Sequence, residues 1–536
     1  MSPCGSIAAK EAGPKTSILL PTFHYDGITR MALDWQACSQ ARLSRDARFD
    51  GKFFIAVLTS GVYCRSICPA PTAKEKNVRY FPTAAAAAEA GFRPCLRCSP
   101  ECSPGTPAWL GTSNTVSRAL RLIDESGLED GGIEALAGRL GVGARHLRRL
   151  FLQHLGATPS AVARTRRLHF AKKLIDETRL AMNQVALASG FGSVRRFNAG
   201  IRDVYKRTPK KIRQLARQKS IEPENYYLFR LRFRPPYHWQ SMLTFLEARA
   251  TPGVEAVDSG IYRRSIAVNG NHGYFEISLD KSTHTLVARI QFGDPRALFF
   301  IVERIRAMFD VNADWSTIAS ALRADGALAR RIDAAPGMRV PGCWNGFELA
   351  VRAVLRQQIT VKGAAALAGR LARSFGYSFS TPAGLTHIFP GPEVLADANL
   401  ASIGLPKARA GTIRAIARAV CDRTISFEGI VDVDAFLSGL QQIPGIVEWT
   451  AQYIAMRALR EPDAFPSADL GLLRALDTRS PRELERRAEA LRPWRAYAAM
   501  YLWIIPAHQK ASRKERTSLK PAFQQEDGER HIYEQV

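Results

Sequence analysis

No run of about 18 apolar residues occurs in this 536-residue chain, so no transmembrane helix is expected. The stretch Ile18-Leu19-Leu20 is too short for a signal-peptide core and lacks a small-residue cleavage site, which predicts a cytoplasmic protein. Acidic residues are scarce. Forty-nine Asp and Glu face 75 Lys and Arg, leaving a formal net charge of +26 and a pI near 10.0. That imbalance fits a chain that lies against phosphates. A merely solvated basic surface is the competing reading, and Arg runs inside periodic helices weigh against it. Cysteine is also sparse, nine in all, and in a reducing compartment paired spacing means metal or reactivity rather than disulfides. Cys4, Cys38, Cys102, Cys343 and Cys421 lack partner spacing and read as small apolar or incidental residues. A hydrophobic fraction of 46% argues against extensive disorder, and the length exceeds what one core can serve.

Four cysteines do pair by spacing. Cys64 and Cys68 sit in GVYCRSIC, Cys95 and Cys98 in FRPCLRC, and a folded spacer separates the pairs. This is the arrangement of a closed tetrahedral Zn²⁺ site. Four thiolates on Zn²⁺ carry net charge −2, and their sulfurs remain nucleophilic. Alkylating one would reduce the charge to −1, a plausible switch near phosphates. Spacing alone leaves that chemistry and an inert zinc staple equally open. Around the quartet, DARFDGKFFIAVLTSGVYCRSIC and GFRPCLRC closely resemble the amino-terminal domain of the Ada methyl sensors, over residues 31–105. The resemblance implies that Cys64 takes a methyl group from a DNA methylphosphotriester, in a suicidal reaction, with Cys68, Cys95 and Cys98 as the other ligands.

From Asn114 to about Leu215 the pattern is helical and Arg-rich. IEALAGRLGVGARHLRRLFLQHLG reads as helix, Gly turn, helix, and a second copy begins near Met182 with Gly190-Phe191-Gly192 at its turn. An apolar-periodic helix near Pro159–Glu177 joins them. Two such units can place helices in successive major-groove segments. LHFAKKLI and ALASGFGSVRRFNAGIRDVYKRTP resemble the DNA-binding domain of the AraC family. Candidate groove-facing residues are Arg145, His146 and Arg149 in the first unit and Ser193, Arg195 and Arg196 in the second. For any single one, a phosphate contact or solvation competes with base readout.

From Glu222 to about Asp310, LFRLRFRPP and YFEISLDKSTHTLVARIQF alternate as antiparallel strands, with a helix over Trp239–Arg249 between them. The remainder reads as helical to about Ile505. Within it, LQQIPGIVEWTAQYIAMRAL predicts a helix, a Pro-Gly turn and a second helix from about Glu448, a geometry that holds a DNA phosphate without reading sequence. Asp469 follows in a short loop, where an ordinary helix cap is the simplest account.

The stretch from about Tyr226 to Ala507 resembles the AlkA branch of helix-hairpin-helix glycosylases, in FELAVRAVLRQQIT and RPWRAYAAMYLW as well as in the hairpin. The resemblance implies a base flipped into an aromatic pocket. Asp469 would stabilise charge developing on the sugar or orient water. It also implies base stacking on Trp449, Tyr453 and Trp503, a wedge at Gln358, and a phosphate hairpin at Gly445 and Val447. Core packing is the competing account of the aromatics. Trp449 occupies the position of the Schiff-base lysine of bifunctional relatives, so simple hydrolysis is expected. The four-cysteine cluster of iron–sulfur relatives is missing. Two departures bear on turnover: Val447 replaces a glycine expected to need positive φ, and Glu448 adds a negative charge where the branch is usually basic. Gln358 also replaces a leucine wedge. No Pro-Cys-His-Arg string occurs, so a guanine-O6 methyltransferase half is not expected.

The expected fold is multidomain α+β. It comprises an extension (1–30), a small zinc-bound α/β domain (31–105), an all-α double helix-turn-helix domain (112–215), a small α+β antiparallel-sheet domain (222–300), an all-α helix-hairpin-helix glycosylase domain (301–508) and a disordered tail (509–536). The expected function is methylphosphotriester-sensing transcriptional activation fused to a monofunctional type II DNA-3-methyladenine glycosylase. Zn²⁺ is the expected cofactor, double-stranded promoter and damaged DNA the partner, with RNA polymerase a further one for an activator. The alternative is a transcription regulator whose glycosylase-like half binds DNA without turnover.

Overall fold

The computed structural model describes residues 34–104, 114–126, 132–216, 226–429 and 432–503. The expected extension 1–30 and tail 509–536 lie outside the described residues. Helix Trp35–Leu43 starts at Asp34, whose carboxylate accepts the Gln36 N–H. It packs on a four-stranded sheet of order β3-β1-β2-β4, built from Phe54–Val57 (β1), Val62–Cys64 (β2), Val78–Phe81 (β3) and Arg93–Pro94 (β4). Strand alternation sends Ile55 to one face with Phe53, Cys38 and Tyr80. Phe54 and Ala56 go to the other, against Tyr63 and the alanine helix Ala84–Glu89. Alanines there let that helix lie close to the sheet.

Two helix pairs follow, Gly132–Arg139 with Ala144–Leu155 and Met182–Ala188 with Val194–Tyr205, joined by Pro159–Glu177. The joining helix begins with Thr158 accepting the Ala161 N–H and with Pro159 in its first turn, where a missing N–H costs nothing. Val142 packs at the first turn and Phe191 at the second. The joining helix is also a junction between modules. Its Leu168, Phe170, Leu174 and Ile175 share one core with Phe197 and Ile201 of the second pair and with Phe229 and Leu231 of the next sheet.

That sheet has five antiparallel strands in the order β5-β9-β8-β7-β6: Tyr227–Arg232 (β5), Glu255–Asp258 (β6), Ile261–Val268 (β7), Asn271–Asp280 (β8) and Thr285–Phe292 (β9). The alternation of Leu228–Arg232 and Tyr274–Phe292 was legible as strand, the second stretch being a hairpin. β6 and β7 were not anticipated, because Arg263 and Arg264 interrupt the apolar pattern of β7. Arg264 is buried against Glu255 and Glu348, so its charge is met inside the fold. The sheet's core runs on past residue 300 through helices Leu298–Met308 and Trp315–Leu322 to Arg495–Trp503. A second core gathers helices Gly346–Leu355, Val361–Phe375, Lys407–Cys421 and Glu448–Arg457. The carboxy-terminal stretch is not helical throughout. A two-residue pair, Tyr377–Ser378 (β10) with His387–Ile388 (β11), interrupts it and docks on the larger sheet, where Ser265 Oγ donates to the His387 carbonyl at 2.6 Å. Among the described residues no helix is long and apolar enough to cross a membrane.

Candidate functional site

The four predicted cysteines converge. Cys64 ends β2, Cys95 and Cys98 follow β4, and a parallel β2–β4 contact, with Cys95 N–H donating to the Tyr63 carbonyl at 3.0 Å, sets the two loops side by side. Sγ atoms of Cys64, Cys68, Cys95 and Cys98 all lie within 4.8 Å of one another. Tetrahedral Zn²⁺ with bonds of about 2.3 Å needs sulfurs about 3.8 Å apart, so the spacing fits. Crowded thiols without a cation cannot all ionise. Hydrogen bonds from its neighbours, Cys68 first, push Cys64 up, while the hydrogen bond with Cys64 pulls Cys68 down to about 7. A central divalent cation removes that conflict, and the cluster is a Zn²⁺ site. Cys64 is 7% exposed, and Cys68 is the more accessible of the two. Arg65, fully buried, braces the loops. Its Nε donates to Asp50 Oδ1 at 2.8 Å and its Nη1 to the Cys98 carbonyl at 3.1 Å.

In the helix-turn-helix units, Arg145, His146 and Arg149 are exposed on the first two turns of Ala144–Leu155. Arg195 and Arg196 occupy the matching second and third positions of Val194–Tyr205 and are also exposed. The amino-terminal end of a second helix is the part that reaches base edges in this motif. Arg149 Nη2 lies 3.1 Å from His146 Nδ1, so these two side chains act as a pair. Ser193 is spent differently. Its Oγ accepts the Arg196 N–H at 3.2 Å as the helix cap.

In the carboxy-terminal half the structure brings the predicted residues together around one carboxylate. Asp469 is 8% exposed and caps helix Leu470–Ala475, as the simplest account of it required. Its Oδ1 accepts from Gly471 N at 2.8 Å, Leu472 N at 3.2 Å and Trp503 Nε1 at 2.9 Å. Among the described residues Oδ2 accepts only from Trp449 Nε1, at 3.1 Å. The cap therefore uses one oxygen, and the other is held by an indole. Gly471 permits this closeness: a Cβ there would meet Asp469 Oδ1 at 2.8 Å and the Trp503 ring at 3.2 Å. Trp449 and Tyr453 stack with centroids 5.6 Å apart and planes 12° apart, and Trp503 lies 6.4 Å from Tyr453. Trp449 and Trp503 are only partly buried, so they are not simply core.

The hairpin joins Val433–Gln441 to Glu448–Arg457. Gly445 has φ +91°, and a Cβ there would drive into the Thr412 hydroxyl, so glycine is required. Val447 overturns the expectation of a strained third position. Its φ is −91° and ψ 163°, extended backbone that suits a β-branched residue, and it stands as the N-cap with its side chain exposed. Glu448 opens the helix, where the positive end of the dipole favours an acid. Gln358 is exposed, with φ +60°, between helices Gly346–Leu355 and Val361–Phe375. Its neighbour Gln357 ties that loop to the hairpin, Nε2 donating to the Gly445 carbonyl at 2.8 Å and to Thr450 Oγ1 at 3.0 Å.

Sequence reasoning missed the arginines of this site. The Arg356 guanidinium lies 5.5 Å from the Trp449 centroid and 5.4 Å from that of Tyr453, and Arg457 Nη1 donates to the Tyr453 hydroxyl at 2.8 Å. Burial would raise the Tyr453 phenol, but Arg457, Arg356 and Arg249 outweigh it and hold the group at about 7. Only assembly in space could reveal this, since the three arginines come from separate helices and loops. Also missed was the junction at the joining helix: Tyr63 Oη lies 2.9 Å from His169 Nε2, and Lys172 pairs with Glu101 at 3.1 Å.

A four-thiolate zinc site, tandem helix-turn-helix units and a helix-hairpin-helix with an indole-held aspartate define a multidomain DNA-glycosylase protein that carries its own DNA-binding regulator. Family models agree, matching the metal binding domain of Ada over residues 37–101, a helix-turn-helix domain over 136–215 and the AlkA N-terminal domain over 228–345. The chain is 39% identical to a probable bifunctional transcriptional activator/DNA repair enzyme AlkA of Mycobacterium tuberculosis, across 89% of this chain and 97% of that one. It is 34% identical to DNA-3-methyladenine glycosylase 2 of Escherichia coli, across 53% of this chain and 99% of that one. The bifunctional transcriptional activator/DNA repair enzyme Ada of Escherichia coli is 39% identical over 23% of this chain and 33% of its own length. The chain belongs to the family of the bifunctional AlkA-type activator/repair proteins.

Proposed function

We propose that this protein both senses and repairs alkylated DNA. In the sensing step, Cys64 Sγ attacks the methyl carbon of a DNA methylphosphotriester. The S–C bond forms, the methyl C–O bond breaks, and the phosphodiester leaves as an anion. Bound Zn²⁺ keeps the thiolates deprotonated near neutral pH. Transfer takes the cluster from −2 to −1 and lowers repulsion against phosphates. The methylated chain then activates repair genes through the helix-turn-helix units and RNA polymerase. Resemblance to the Ada domain supports Cys64, whereas exposure alone would favour Cys68. Trypsin cleaves after Arg65 and so puts the two cysteines on different peptides. After incubation with methylated DNA, mass spectrometry should place one methyl group on the Cys64 peptide. A methyl group on the Cys68 peptide, or one that persists in Cys64→Ala, refutes the assignment.

In the repair step, Asp469 supports hydrolysis of the N-glycosidic bond of alkylated bases such as 3-methyladenine. The observation that carries this is its carboxylate, held between two indoles, with one oxygen committed to a single donor among the described residues. The indoles orient it, and its charge opposes the cation that develops on the sugar as the base departs. Trp449 in place of an amine nucleophile supports release without strand cleavage. Base release from methylated duplex should fall by about 10²–10³ in Asp469→Asn, the scale for losing one preorganised electrostatic partner. Release that is unchanged in that variant, or absent in the wild type, leaves the reading of DNA binding without turnover.

A further inference from the structure

A cleft separate from the base pocket lies between helix Leu298–Met308 and the loop after helix Lys407–Cys421. It measures about 450 Å³, within the range of small-molecule sites, and Asp469, Trp449 and Trp503 do not line it. Phe300, Trp344 and Phe427 give it an aromatic wall, Phe300 and Trp344 packing edge to face at 6.3 Å. Four arginines and two glutamates make up its charged lining. The acids are already met. Arg304 Nη2 donates to Glu428 Oε1 at 2.7 Å, and Arg306, outside the lining, lies 3.7 Å from Glu303. Arg457 donates to the carbonyls of Pro341 and Gly342 and to the Tyr453 hydroxyl, so no carboxylate among the described residues answers its charge. The Arg423 side chain is exposed and makes no hydrogen bond or ion pair among the described residues. Its backbone is more telling. Directly after the C-cap Asp422, φ is +58°, a conformation that glycine adopts freely and arginine only under strain. Arg460, also in the lining, has φ +57° two residues beyond the C-cap Ala458. Two strained arginines at helix ends thus converge on one cleft.

We propose that this cleft binds a free nucleotide, with the phosphate at Arg423 and the base along the aromatic wall. A guanidinium matches a phosphate with two parallel N–H donors, and an aromatic wall accepts the face of any base. Inorganic phosphate would leave the wall unused, and a nucleoside would leave the surplus positive charge unmet. A nucleoside monophosphate answers both. The proposal does not depend on base excision, since Asp469 and its two indoles lie outside the lining.

The test is titration calorimetry on the full, zinc-loaded chain with AMP, adenosine and inorganic phosphate. One AMP should bind per chain, at least about tenfold tighter than either adenosine or phosphate. Arg423→Gly removes the guanidinium and also relieves the backbone, so its melting temperature should not fall while AMP affinity drops about ten- to a hundredfold. Arg423→Lys should keep affinity within about tenfold of wild type. Gly445→Ala and Trp449→Ala, in the hairpin and the base pocket, should leave AMP affinity within about twofold. Saturating duplex DNA should leave it unchanged as well. Wild type that binds no AMP, or binds it no better than adenosine, overturns the proposal, and so does an Arg423→Gly chain with wild-type affinity. Loss in Trp449→Ala or Gly445→Ala would move the nucleotide to the base pocket or the hairpin, and displacement by duplex would assign the cleft to DNA. Either result sinks a separate nucleotide site.

Discussion

Gly445→Ala isolates the hairpin, expected to hold a DNA phosphate, from the pocket beside it. At φ +91° an alanine pays about 1–3 kcal/mol for a left-handed backbone. Its Cβ would also displace the Thr412 hydroxyl, which donates to the Pro444 carbonyl at 2.8 Å and the Ala408 carbonyl at 3.1 Å. Losing that hydrogen bond adds about 1 kcal/mol. The total, about 2–4 kcal/mol, is felt when DNA requires the hairpin in its native shape, so affinity for undamaged duplex should fall about thirty- to a thousandfold. Fluorescence anisotropy at two salt concentrations measures this. Asp469, Trp449 and Trp503 do not touch Gly445, so base release under saturating DNA in a single turnover should stay within about threefold. Thr412→Ala alone should cost about 1 kcal/mol, and added to Gly445→Ala it should cost little more, because that hydrogen bond is already lost there. Wild-type affinity in Gly445→Ala refutes the reasoning. So does a single-turnover rate that falls in step with affinity, because the hairpin would then not be separable from the pocket.

Val447→Gly should bring no gain in DNA affinity, since φ at 447 is already negative, and it should lower the melting temperature slightly through added unfolded-state entropy. Tyr453 should give a tyrosinate ultraviolet titration near pH 7 that disappears in Tyr453→Phe. Its folded pKa lies below the unfolded value of about 10, so its contribution to stability grows as pH rises from about 7 to 10 and is lost as pH falls through 7. Cys98→Ser should release the bound metal to a chromogenic chelator and lower the melting temperature of the amino-terminal module, because metal affinity is folding free energy there. A Cys98→Ser protein that keeps one zinc per chain and melts like wild type counts against the four-thiolate site.

Those outcomes turn on different depths of information. The cysteine quartet was legible because metal geometry requires close pairs, and the alternating strands because period two survives in sequence. The Gly turns of the helix-turn-helix units marked their own boundaries. β6 and β7 escaped because Arg264, buried against Glu255 and Glu348, breaks the apolar pattern with a charge compensated by residues far along the chain. Val447 misled for a related reason. A residue type reports which backbone conformations it resists, but only the hairpin itself shows which position carries positive φ. Asp469 was read both as a cap and as a carboxylate for chemistry, and the structure has it accepting from the helix amides through one oxygen and from indoles through both.

The joining helix Pro159–Glu177 is where the modules meet. Tyr63 immediately precedes Cys64, and its hydroxyl meets His169 on this helix at 2.9 Å. Burial pulls the His169 imidazole down to about 4 against the pull of Glu101, so the ring is neutral at physiological pH and needs a partner for its buried nitrogen. One turn on, Lys172 pairs with Glu101, three residues beyond Cys98, and Lys173 donates to the Arg230 carbonyl of β5 at 2.7 Å. Each ammonium is buried and has a second partner on its own helix, Lys172 with Asp176 and Lys173 with Glu177, so both charges are met inside the fold. The residue before Cys64 thus contacts the helix that joins both helix-turn-helix units, and the same helix is anchored in the core of the glycosylase half. The zinc module, the DNA-reading units and the glycosylase half all pack on this one helix.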